Sequence, residues 1–126
     1  MANAFRPFGF ALALGLIAGA AAAHHSTGAY DMEHQTSVQG TLKSINWSNP
    51  HTTWVVDKDG ETWTFESTSP GVLTRSGWTK HSIEPGERAT FHYAPLRNQT
   101  QGGYLFSIIL QDGKTLSYAF NPNDSN

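Results

Sequence analysis

Residues 54–65 read Trp54-Val55-Val56-Asp57-Lys58-Asp59-Gly60-Glu61-Thr62-Trp63-Thr64-Phe65, and this stretch decides the fold. Trp54 and Val56 flank Val55 before the turn, and Trp63 and Phe65 flank Thr64 after it. Such alternation puts one row of large apolar side chains on a single face of each strand. Asp59-Gly60 supplies the positive-φ residue a tight connection needs, so the segment predicts a β-hairpin with an apolar inner face.

The pattern continues on both sides. Upstream, Val38, Gly40 and Leu42 alternate with polar residues, and then the apolar phase slips by one to Ile45 and Trp47. A one-residue slip is the mark of a bulge near Lys43-Ser44, which would bend a long first strand. Downstream, Ser69-Pro70 offers an N-cap and a first-turn proline while Gly77 offers a stop, predicting a short helix from Pro70 to Ser76. After the turn Glu84-Pro85-Gly86-Glu87, the residues Ala89, Phe91 and Tyr93 alternate with Arg88, Thr90 and His92. Pro95 to Gly103 reads as a loop. Tyr104 to Leu110 is almost continuously apolar and predicts the most buried strand, and Asp112-Gly113 then turns the chain into Leu116, Tyr118 and Phe120. Three strands, a helix and two or three more strands is the order of an all-β domain: a small OB-fold-like barrel whose helix plugs the gap between strands three and four.

The other feature with a definite reading is the start of the 126-residue chain. A leader carrying Arg6, an apolar run from Phe8 to Ala20 and an Ala-x-Ala site follow one another in the order of a secretory signal peptide. A spanning helix needs about 20 apolar residues, and this run is shorter. The expected division is therefore a cleaved signal over 1–23, a single domain with a histidine-bearing arm over 24–120, and a frayed tail over 121–126. Cleavage after Ala22 would leave Ala23-His24-His25 at the front, and cleavage after Ala23 would leave His24 first. The expected location is the periplasm.

Composition removes several classes of function. There is no cysteine, which excludes disulfides, thiolate zinc sites, thioether haem attachment and cysteine nucleophiles. The net charge of −2 leaves no basic face for a phosphate backbone, so nucleic acid is not expected. The sequons at Asn46, Asn98 and Asn123 are read as chance occurrences. No nucleophile elbow, His-Glu-x-x-His helix, phosphate loop or dinucleotide fingerprint occurs, so the chain is read as a binding protein and not an enzyme. Glu61 and Glu66, on opposite strand phases, do not make an acid/base pair, and Glu66 is expected to pair with Arg75.

Taken in order, several short motifs resemble one family. They are Ala23-His24-His25-Ser26, the box Gly40-x-x-x-x-Ile45-x-Trp47-x-Asn49-Pro50-His51, then Trp63-x-Phe65-Glu66, Ser69-Pro70, Leu73-x-Arg75-x-Gly77-Trp78 and Pro85-Gly86. Across the whole mature chain the sequence is similar to the exported bacterial proteins grouped as domain of unknown function 6152. The resemblance implies a small β-barrel outside the cytoplasm of a Gram-negative bacterium and brings no established activity. Two positions depart from the pattern: Glu87 stands where aspartate is usual after the Pro-Gly turn, and His92 stands where a plainer residue is expected.

The chemistry has to come from the side chains. Of six histidines, His24 and His25 carry the sharpest reading. With Ala23 first, the terminal amine, two amides and the His25 imidazole form a square-planar set suited to Cu(II) or Ni(II). With His24 first, its amine and ring bite one copper, and His51 is placed to complete a T-shaped brace. Either arrangement needs a deprotonated amine, whose ordinary pKa of about 7.7–8.0 a metal readily displaces. The plainer view is that the pair follows the cleavage site and stays in solvent. Asn49-Pro50 holds His51 at a strand entrance, as a ligand or as a cap on a backbone carbonyl. His34, with Asp31 and Glu33, would add oxygen ligands or form a solvated lead-in, and His81 carries no assigned role. The competing function is a ligand surface made by Trp47, Asn49, Arg75 and Trp78 for a small molecule, glycan, peptide or partner protein. Trp54 and Trp63 are expected in the core, while Trp47 and Trp78 would flank a groove or cap the barrel ends.

Overall fold

A computed structural model of the chain describes residues 27–121. Signal-peptide and amino-terminal expectations, including His24 and His25, lie outside these residues, as does the tail beyond Asn121.

The described chain is a closed barrel of five strands with a sixth strand outside it. β1 (Thr36–Asn46), β2 (Thr52–Lys58) and β3 (Glu61–Ser67) form a meander, followed by α1 (Pro70–Arg75), β4 (Arg88–Pro95), β5 (Gly102–Leu110) and β6 (Thr115–Ser117). The strand order is β3-β2-β1-β4-β5-β6, and β3 also pairs with β5, which closes the sheet on itself. The helix lies between the third and fourth strands in sequence, as the OB-type reading requires.

Local sequence accounts for most of these elements. In the hairpin, Trp54 faces Phe65 and Val56 faces Trp63 across the ladder. Asp59 and Gly60 take φ of 54° and 83°, and the glycine needs no compensation for a left-handed turn. The predicted bulge is present, since the β1–β2 register slips between Leu42 and Ser44. It lets β1 pair with β2 along one half and with β4 along the other. In α1 the Ser69 Oγ accepts from Val72 N at 3.3 Å. The C-terminal end is closed by Gly77 N to Thr74 O and Trp78 N to Leu73 O, both 3.0 Å. Those paired bonds, with Gly77 at φ 88°, form a Schellman ending one residue short of the expected span.

The seam between β3 and β5 is parallel and short, joining Thr64, Phe65 and Glu66 to Gly102, Gly103 and Tyr104. Its two glycines are sterically required. A Cβ on Gly102 would stand 1.9 Å from Thr64 O, and one on Gly103 would stand 2.1 Å from Ala94 O.

Inside the barrel, Leu42, Trp54, Val56, Phe65, Phe91, Leu105 and Ile108 are wholly buried. Phe65 and Phe91 stack at 5.8 Å, and Trp54 meets Trp78 edge-on at 5.7 Å. Trp63 is half-buried at the barrel end against Tyr93, with Lys58 Nζ 5.7 Å over its ring. A second apolar cluster sits outside the barrel, where Ala94, Tyr104 and Phe106 are covered by Tyr30, Met32, Tyr118 and Phe120. Tyr30 and Met32 belong to a strap that begins with a 3-10 turn, Thr27–Ala29. The strap is sewn to the β4–β5 connection by Asp31 N to Pro95 O at 2.8 Å and Arg97 N to Ala29 O at 3.0 Å.

Candidate functional site

The best-organised polar site lies on the outer face of β2, β3 and β5. Counting from the Asp59-Gly60 turn, Thr53 pairs with Glu66, and the parallel seam sets Tyr104 beside Glu66. His51, two residues before Thr53, shares its face and is therefore the diagonal neighbour of Glu66. The start of β2 is fixed there by Thr52, which is fully buried. Its hydroxyl donates to Thr68 O at 3.0 Å and accepts from Trp54 Nε1 at 3.1 Å. The preceding Asn49-Pro50 peptide is cis.

On this platform His51 Nδ1 lies 2.8 Å from Glu66 Oε1, with the imidazole only 10 % exposed. The other carboxylate oxygen, Glu66 Oε2, accepts from the Tyr30 hydroxyl at 2.7 Å. The Tyr30 ring rests edge-on against Tyr104 at 5.4 Å. Burial, and next the bond to Glu66, hold the Tyr30 phenol far above the usual tyrosine range, so it stays a donor. Strap, hairpin and first loop are thus joined by a Tyr30–Glu66–His51 relay.

Several expectations are corrected here. Glu66 does not pair with Arg75: its two oxygens are held by His51 and Tyr30, and Arg75 is exposed on α1 with no ion pair among the described residues. Trp78 offers nothing to a ligand. It is fully buried, donating Nε1 to Ser117 O at 3.1 Å, because the Schellman turn tips it inward against Trp54 and Tyr118. Trp47 is half-buried at the rim, 6.4 Å from Trp54, and Asn49 is exposed beside it. Trp47, Asn49, Arg75 and Trp78 therefore do not form one surface. His51 bonds a carboxylate side chain, a partner the sequence reading did not consider.

His34 and His81 have local partners. His34 Nδ1 lies 2.9 Å from Asp31 Oδ2, and this bond leads the causes that hold the Asp31 carboxyl below its usual range. His81 Nδ1 lies 2.7 Å from Glu84 Oε1. His92 is half-buried between Ser37 of β1 and Ser107 of β5. Among the described residues no three metal-ligating side chains of the His, Cys, Asp or Glu type gather in one place. A metal at His51 would need donors from elsewhere in the chain.

Beside the relay runs an open groove of about 410 Å3 between the β2–β3 face and the β4–β5 loop. Glu66 and Tyr30 form one end of it.

Fold and site together define a closed OB-type barrel with an amino-terminal strap locked to its hairpin face. The sequence profile described as Family of unknown function (DUF6152) matches residues 13–105, and the chain belongs to that family. No curated protein matches the chain.

Proposed function

We propose that this is an exported, non-enzymatic metal-binding protein, with copper the metal its donors suit, in which His24 and His25 of the processed terminus act together with His51. The observation that carries the reading is the Tyr30–Glu66–His51 relay. Histidine ligands commonly give their second ring N–H to a carboxylate, which fixes the tautomer and raises basicity at the coordinating nitrogen. The Glu66 carboxylate, 2.8 Å from His51 Nδ1, is the partner this reading uses.

Tyr30 supplies the second part of the argument. Its hydroxyl touches the carboxylate that holds His51, so the chain at residue 30 is anchored at the site. An extended chain covers about 3.3–3.6 Å per residue, so the five residues back to His25 span up to about 17 Å. Both candidate amino termini are thereby tethered within reach of His51. An amine and imidazoles form a nitrogen set matched to tetragonal Cu(II). Carrier or buffer is the role this reading assigns.

The test is a copper titration of protein exported with its own leader, its terminus verified by mass spectrometry, followed by calorimetry and EPR. A one-to-one site with nitrogen hyperfine structure is expected, weakened in His51→Ala and in a form extended by one residue at the terminus. Weak binding that ignores both changes would sink the proposal.

A further inference from the structure

The groove beside the relay carries a separate reading. We infer that it is a binding site for a neutral saccharide of about one or two pyranose rings. Its floor is the paired outer face of β2 and β3, with Thr53, Thr64 and Glu66, and its far wall is Leu96, Thr100 and Gln101 of the β4–β5 loop. The volume of about 410 Å3 falls in the range of about 300–1,000 Å3 usual for small-ligand sites.

The chemistry of the lining selects the ligand. The Thr53 and Thr64 hydroxyls and the Gln101 amide make no hydrogen bond with a described residue, although they converge on one concavity. Hydroxyls and a primary amide each offer donors and acceptors, which matches a sugar's vicinal hydroxyls. Thr100 Oγ1 is already turned to Asn98 Oδ1 at 2.9 Å, so it presents accepting capacity toward the groove. The Tyr30 ring and Leu96 provide the apolar surface on which the C–H face of a pyranose rests.

Charge excludes the alternatives. Among the described residues no lysine, arginine or histidine lines the groove, and its one carboxylate is that of Glu66, which is paired with His51. A phosphate, sulfate or carboxylate ligand would meet that carboxylate and find no lysine or arginine in the described lining. Its position also accords with the general use of OB-type barrels, whose second and third strands and adjoining loops bind oligosaccharides and oligonucleotides. A described lining without lysine or arginine favours the oligosaccharide of that pair.

Glu66 belongs to both this groove and the proposed metal site, so the experiment is done on mature protein stripped with EDTA, which keeps the two ideas separable. Proton–nitrogen correlation spectra are recorded during titration with maltose, cellobiose, N,N′-diacetylchitobiose and, as a charged control, glucose 6-phosphate against glucose. The expected result is saturable shifts with at least one neutral disaccharide, centred on the amides of Thr53, Thr64, Thr100 and Gln101. Thr64→Val, which keeps shape and strand preference while removing the hydroxyl, should weaken binding about tenfold, and Gln101→Ala similarly. Absence of saturable shifts with all the neutral sugars overturns the inference. So do shifts centred elsewhere, binding unchanged in both variants, or tighter binding of glucose 6-phosphate than of glucose.

Discussion

Replacing Tyr30 by phenylalanine removes one hydroxyl and leaves the ring to pack on Tyr104. The lost contact is the 2.7 Å bond to Glu66 Oε2. Hydrogen bonds to charged groups are worth about 1.5–3 kcal/mol, and truncating one leaves the acceptor to find water. The Glu66 side chain is 25 % exposed, so part of that cost is recovered by hydration, and the expected loss is about 1–2 kcal/mol. Against a domain stability of about 5–15 kcal/mol this is readily measured. Urea unfolding followed by fluorescence is the assay, because Trp54 and Trp78 are both fully buried and report the global transition. The backbone bonds of Asp31 to Pro95 and of Arg97 to Ala29 persist in the variant, so the m-value should not change. The decisive number is the coupling with Glu66→Gln. A real bond gives a double-mutant interaction energy of about 0.5–1 kcal/mol or more. A Tyr30→Phe cost under about 0.3 kcal/mol, additive with Glu66→Gln, would show that the strap is not tied to the hairpin in solution.

Trp78→Ala should cost about 3–5 kcal/mol, and Trp47→Ala, at the half-buried rim, less than half of that; equal small losses in urea midpoints would return Trp78 to the surface. Gly102→Ala should cost about 3 kcal/mol or more, because the new methyl meets the Thr64 carbonyl across the seam. Gly113→Ala, at φ 86° with open space around it, should cost about 1–2 kcal/mol. Comparable melting temperatures for these two variants would contradict the seam geometry. The Tyr30 and Tyr118 phenols are both held high, chiefly by burial. Below pH about 10 they are neutral in both folded and unfolded chains, and above it only the unfolded chain releases the protons. Stability should therefore fall as pH rises past 10, by up to about 1.4 kcal/mol per unit for each phenol. Tyr30→Phe should have the shallower alkaline slope, and parallel slopes in urea titrations would count against a buried Tyr30.

Much of the barrel was legible because its determinants are local. The phase slip between Leu42 and Ile45 located the bulge, the Asp59-Gly60 turn located the hairpin, and Ser69, Pro70 and Gly77 bracketed the helix to within a residue. The closing β3–β5 pair was not, since a parallel contact leaves no turn and no period, and only Gly102-Gly103 hints at a close approach. The site divided in the same way. His51 stood out through Asn49-Pro50, and Glu66 was within reach, because counting register outward from the turn puts it opposite Thr53 and diagonal to His51. It was instead paired with Arg75 on nearness in sequence. Tyr30 lies in a strap with no periodicity, held by backbone bonds to a loop, and no sequence pattern points to it. Of the two readings of Trp78, the groove is the one that fails, because a Schellman ending turns the following side chain inward.

The seam has a consequence for the order in which the barrel is made. The meander of β1, β2 and β3 is complete by Ser67, yet the strand that covers β3 does not begin until Gly102. Along a chain made from its amino end, β3 waits as an open edge while the helix and β4 are still being added. An open edge is a template for pairing with other chains. Thr62, Thr64 and Glu66 keep one side of that strand polar, while Trp63 and Phe65 leave the other side apolar until the barrel closes. Thr64 and Glu66, which furnish the groove of the finished barrel, thus confine the apolar surface of the waiting edge to one face.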